Sequence, residues 1–101
     1  MPTIYQPIQE SVGKDRVTLS WKARGNIYGD YKFVVTVKEY AVAANPNIKG
    51  VERDINKNSM RATITDLKSG TTYAASIRAT DLSDSSDGGS STVVVFTTSK
   101  S

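Results

Sequence analysis

Apolar and polar residues alternate, one position at a time, in four separate runs of this chain. Val17, Leu19 and Trp21 alternate with Arg16, Thr18, Ser20 and Lys22. Tyr31, Phe33, Val35 and Val37 alternate with Lys32, Val34, Thr36 and Lys38. Ala62 and Ile64 are set among Arg61, Thr63 and Thr65, and Tyr73, Ala75, Ile77 and Ala79 among Ala74, Ser76, Arg78 and Thr80. A period of two gives a strand one dry face and one wet face. Residues 92–98, rich in Val and Phe, suit an edge or closing strand. Ile8 and Val12 suggest a first strand interrupted near Pro7, and residues 51–55 a short edge strand. No window sustains a helical period alongside good helix formers. Seven strands in a chain of this length predict an all-β fold, a seven-stranded antiparallel β-sandwich.

Turn chemistry separates the runs. Gly25-Asn26 and Gly29-Asp30 flank a loop, and Asn45-Pro46-Asn47 with Lys49-Gly50 marks a hairpin. Residues 56–59 mark a second hairpin, Lys68-Ser69-Gly70 a corner, and residues 81–91 a long polar loop.

At 101 residues the chain is one domain, residues 1–101, with a core over about 7–98 and short linker stubs at both ends. The hydrophobic fraction of 38% and charged fraction of 23% fit a globular class. No apolar run approaches the roughly 20 residues that span a bilayer, so membrane insertion is not expected. The chain has no cysteine and no histidine, which removes disulfides, thiolate nucleophiles, the usual general base and the commonest metal ligands. Glu10, Glu39, Glu52 and Asp54 are scattered over polar faces with no pair placed by spacing. No catalytic constellation and no cofactor or metal site is therefore expected.

The stretches "VTLSW" and "TITDLKSGTTYAASIRA" resemble the fibronectin type III family. In that family a tryptophan ends the motif of the second strand, where Trp21 stands. A leucine, a turn and a tyrosine form the corner into the sixth strand, matched by Leu67 and Tyr73. "GDYKFVV" looks like the third strand, and the likeness covers roughly residues 7–98. Immunoglobulin domains differ: their core tryptophan sits on the third strand against a disulfide. Ala75 occupies the slot of the missing cysteine. The resemblance implies a core of Val17, Leu19, Trp21, Tyr31, Phe33, Val35, Ile64, Leu67, Tyr73, Ala75 and Ile77. Trp21 and Tyr73 are expected to meet across the dry seam, with the Tyr73 hydroxyl bonded to backbone near Leu67. Ala75 and Ala79 are expected to be small because Trp21 and Tyr31 claim the space above them. Ser69 stands where the family usually has proline, which predicts a slightly looser corner.

Three surface features are candidate sites. "TDLSDSSDGGSST" gathers acids in a small-residue loop, and its Asp81, Asp84, Ser86, Asp87 and Gly88 form a candidate partner-contact loop. Their spacing is not that of a calcium loop, and a solvated hairpin tip explains the composition as well. The Arg-Gly-Asp tripeptide that many adhesive family members carry here is absent. Lys32, Lys38 and Arg78 should face outward on one sheet, as a candidate basic face for a polyanion or simply a solvated strand face. No aromatic is interleaved with them, so nucleic acid is not an expected partner. Tyr28 and Tyr40 are expected to cap the sandwich ends. Val34, Val42, Val94 and Phe96 are expected to leave an apolar strip on the outside.

These readings imply a non-catalytic module of a larger multidomain protein, a spacer and protein-interaction or adhesion unit. Its partners would be another protein or neighbouring domains of the same chain, at the cell surface or outside the cell. The alternative is a carbohydrate- or glycosaminoglycan-binding accessory module, with polysaccharide as partner. In isolation a monomer is expected. The chain has no Asn-x-Ser/Thr sequon.

Overall fold

Each alternating run is a strand. The computed structural model describes residues 2–25, 31–48, 50–82, 87–91 and 93–100. In chain order the strands are β1 (Pro2–Ile4), β2 (Ile8–Val12), β3 (Val17–Ser20), β4 (Ala23–Gly25) and β5 (Tyr31–Glu39). They continue with β6 (Val51–Asn56), β7 (Arg61–Ile64), β8 (Thr72–Asp81), β9 (Asp87–Ser90) and β10 (Val94–Thr97). One sheet runs β2-β3-β7. The other runs β10-β8-β5-β6, with β9 also on β8, and β1 and β4 form a short ribbon. Every pairing is antiparallel. The two sheets face each other as a sandwich.

Among the described residues the expected strands are divided into ten segments, for local reasons. The stretch around Pro7 separates β1 from β2, and β4 resumes the line of β3 beyond Trp21 and Lys22. The final strand is broken at Ser91, whose amide donates to the Ile77 carbonyl at 2.7 Å while its hydroxyl accepts from the Ile77 amide at 2.8 Å. A side chain there replaces a main-chain rung. The polar loop expected over 81–91 is thus shorter than its composition suggested, because β9 closes on β8.

Two further expectations are corrected. Tyr40–Val42 form a 3₁₀ turn, too short to leave a helical period in the sequence. The turn after Asn56 is closed by Ser59 N–H to the Asn56 carbonyl at 2.8 Å, but it joins strands of different sheets and is no hairpin.

The inner faces bury Val17, Leu19, Trp21, Tyr31, Phe33, Val35, Ile64, Leu67, Tyr73, Ala75 and Ile77 in one cluster, together with Ile4, Val37, Ala62, Ala79 and Phe96. Phe96 was expected outside. It pairs with Tyr73, so the register turns it inward, and the rings stack at 5.7 Å. Val34 faces out yet is also buried. The exposed valines of the last strand region are Val93 and Val95.

Trp21 and Tyr73 do not meet. Trp21 packs edge-on against Phe33 at 5.5 Å, and Phe33 pairs with Ala79. Tyr73 pairs with Glu39, six residues further along β5, or roughly 20 Å at strand rise. The two aromatics therefore anchor opposite halves of one core. Ala79 is small beside Phe33, which also meets Tyr31 edge-on at 5.6 Å. Ala75 instead lies between Val37 and Val94, away from that aromatic cluster.

Candidate functional site: the outer face of the four-stranded sheet

The register places Lys32, Lys38 and Arg78 on one outer face. Lys32 pairs with Thr80, Val34 with Arg78 and Lys38 with Ala74 across the β5–β8 ladder. Edge strand β6 then sets Asp54 opposite Val34 and Glu52 opposite Thr36. Two diagonal ion pairs result. Lys32 Nζ lies 2.8 Å from Asp54 Oδ2, and Arg78 Nη2 lies 3.3 Å from Glu52 Oε2. Arg78 also donates to Thr36 Oγ1 at 3.0 Å. Two of the three bases are thus neutralised by acids that look scattered along the sequence. Their spacing within β6 says nothing of register, which explains the miss.

Lys38 differs. Among the described residues no carboxylate pairs with it, because β6 begins at Val51, opposite Val37, and its acids sit farther along. Lys38 borders an open recess of about 460 Å³. Thr36, Ala74 and Ser76 line its floor, with Ile48 on one side and Val93 on the other. Small residues on an outward strand face leave this depression. The chain from the 3₁₀ turn to Ile48 is held by bonds that include Ala43 N–H to Tyr40 O at 3.3 Å, Asn45 N–H to Val42 O at 3.0 Å, Ile48 N–H to Asn45 O at 3.1 Å and Asn47 N–H to Asn45 Oδ1 at 2.9 Å. Tyr40, expected to cap the sandwich, is 59% exposed on that turn. Tyr28 lies outside the described residues.

The acidic loop is only partly in view. Asp81 ends β8 opposite Tyr31, and Asp87 and Gly88 belong to β9, with Asp87 opposite Thr80. Asp84 and Ser86 lie outside the described residues. Among the described residues no cluster of three or more acids could hold a metal ion. Among the described residues no helix is long and apolar enough to cross a membrane.

The corner at the far pole is held by a set of bonds that link Asp15, residues 67–73 and residues 98–99. Lys68 N–H donates to Tyr73 Oη at 2.8 Å, the bond expected of the tyrosine. Leu67 N–H reaches Asp15 O at 2.9 Å, and Gly70 N–H reaches Ser99 O at 3.0 Å. Thr98 Oγ1 accepts from Thr71 N–H at 3.0 Å and donates to Lys68 O at 2.6 Å. Buried Thr98 thus ties down a corner in which Ser69 replaces the usual proline.

The match to known proteins agrees with this architecture. The family model for the fibronectin type III domain matches residues 3–97. The chain belongs to the fibronectin type III family. Among solved structures, one described as a myokine structure is 14% identical, with 96% of each chain covered and a TM-score of 0.72. The third fibronectin III domain of human KIAA0343 protein is 13% identical, covering 100% of this chain and 86% of that one, with a TM-score of 0.76. The fibronectin type III domain of human fibronectin type III domain containing protein 3 is 18% identical over the same shares, with a TM-score of 0.68. At these identities the likeness is one of fold. No curated protein matches the chain. Fibronectin type III domains are modules commonly used in structure and protein interaction, are generally non-catalytic, and occur in extracellular and cell-surface proteins.

Proposed function

We propose that residues 1–101 form a single non-catalytic module, acting as an axial spacer and protein-interaction or adhesion unit within a longer extracellular or cell-surface chain. One observation carries this reading: the strands enter and leave the sandwich at opposite poles. Pro2 pairs with Gly25, beyond the Trp21 half, whereas Thr97 pairs with Thr72 beside the tyrosine corner. The molecule measures 43 Å along its longest axis. Such a domain passes the chain lengthwise, so successive domains stack end to end. Its partners are neighbouring domains or another protein.

Small-angle scattering from two copies joined head to tail tests the spacer role. An extended particle of roughly twice the single-domain length is expected, and side-by-side collapse would refute it. The glycosaminoglycan alternative draws no support from the outer face, where Lys32 and Arg78 already hold carboxylates.

A further inference from the structure

The four-stranded sheet has two edges, and their chemistry differs. β6 carries Glu52, Arg53 and Asp54 in succession, all exposed. Charges of this kind discourage edge-to-edge pairing. At the other edge no ionisable residue occurs between Asp87 and Lys100. Val93 and Val95 are 56% and 48% exposed there.

The hydrogen-bond phase of β10 shows what this edge offers. Thr98 N–H donates to Thr71 O at 3.0 Å, and the register continues through Thr97 opposite Thr72, Phe96 opposite Tyr73 and Val95 opposite Ala74. Antiparallel rungs alternate in direction. Thr98, Phe96 and Val94 therefore aim their main-chain groups at β8, while Val95 and Thr97 aim theirs away. Among the described residues β10 pairs with β8 alone. β2 of the facing sheet runs close to β10 without pairing with it, and the turn at Gly13 that follows bonds the strand's exit, where its carbonyl accepts from Ser99 N–H at 3.0 Å.

We propose that this edge pairs with the same edge of a second copy of the chain, antiparallel about a two-fold axis at Val95. The offered groups are self-complementary. Val95 of each copy exchanges two N–H···O bonds with its counterpart, and Val93 of each copy lies opposite Thr97 of the other. All three are neutral and β-branched, which suits cross-strand packing, and no charge enters the seam. The pairing joins two four-stranded sheets into one and sets the Val95 side chains against each other on the outer face. A seam this short falls in the small, weak class of interfaces, and the +3 charge on each copy opposes it further. The association departs from the monomer expected from sequence and does not depend on the spacer role.

Sedimentation velocity on the intact protein, from roughly 10 µM to 1 mM, reads the association directly. The weight-average coefficient is expected to rise with concentration toward that of a dimer. Val95→Lys, at an exposed side chain, should retain the thermal transition and weaken association at least about tenfold. If that variant loses its transition, Thr97→Lys at the same edge is read in its place. Arg53→Ala on β6 should leave association unchanged. A parent that stays monomeric throughout, edge variants that associate as before, or an Arg53→Ala protein that no longer associates would each overturn the proposal.

Discussion

The amide of Lys68 donates to the Tyr73 hydroxyl at 2.8 Å, so the phenol that fills one end of the core also fixes the chain that leads into its own strand. The carbonyl of the same Lys68 is held from the other side by Thr98 Oγ1 at 2.6 Å. Both main-chain groups of one corner residue thus depend on two hydroxyls, from β8 and from the chain just after β10. The corner is held between β8 and the chain that follows β10.

Tyr73→Phe keeps the ring and removes the acceptor, leaving the Lys68 amide unpaired. Thr98→Val keeps the shape and strips bonds from Lys68 O and Thr71 N–H. Each is expected to lower unfolding free energy by about 1–3 kcal/mol. Because both act on Lys68, the double variant should lose less than the two single losses added together. Urea melts of the four proteins measure this, and strict additivity would show that the two hydroxyls act independently.

Trp21 anchors the opposite half, edge-on to Phe33 and 3% exposed. Trp21→Ala should cost roughly 3–5 kcal/mol. Domains of this kind hold only about 5–15 kcal/mol, so the variant is expected to lose a large share of its stability and to melt well below the parent. Trp21→Phe keeps an aromatic against Phe33 and sheds an indole N–H that has no partner among the described residues, so its loss should be clearly smaller. Thermal melts rank the two. A Trp21→Ala midpoint within a few degrees of the parent contradicts the assignment.

Gly50 sits at φ +68°, where a Cβ would lie 2.4 Å from the Val37 carbonyl oxygen and 2.5 Å from Lys38 Cγ. Both strain and collision oppose any side chain. Gly50→Ala is expected to destabilise by at least about 1–3 kcal/mol, seen as a lower urea midpoint. Asp66, at φ +65°, stands in the same left-handed region. There Asp66→Asn should be nearly neutral, whereas Asp66→Val should lose about 1–3 kcal/mol. Equal behaviour of the two variants would contradict this.

How much of this was legible in the sequence depends on distance along the chain. Alternation names the buried face of each strand, so Leu19, Phe33 and Ile77 could be assigned without neighbours. The Tyr73 bond was legible too, because its partner lies five residues away. Whatever depends on register was hidden. Phe96 and Val95 both look apolar, and one step of phase decides that Phe96 turns inward onto Tyr73 while Val95 stays exposed. The distance between Trp21 and Tyr73 follows from the β5–β8 ladder, which no local pattern encodes. Thr98 gave no signal at all, since its partners lie about thirty residues upstream. The recess beside Lys38 left only a faint one, the small outward residues Ala74, Ser76 and Thr36.

The acidic edge of β6 governs how the basic face meets polyanions. Asp54 and Glu52 hold Lys32 and Arg78, which leaves Lys38 as the base on that face with no described carboxylate beside it. Exposed pairs of this kind contribute only about 0.2–1 kcal/mol, so removing the acids should hardly change the melt. Its effect on binding should be larger. Asp54→Asn with Glu52→Gln removes two negative charges, taking the net charge from +3 to +5 (3 + 2), and takes the carboxylates away from Lys32 and Arg78 on one face. The parent is expected to leave a sulfated-polysaccharide column at low salt, and the double variant at distinctly higher salt, with a steeper salt dependence. Adding Lys32→Gln to the double variant should reverse much of the gain. Should parent and double variant elute together, the ion pairs are not what keeps this face from binding polyanions.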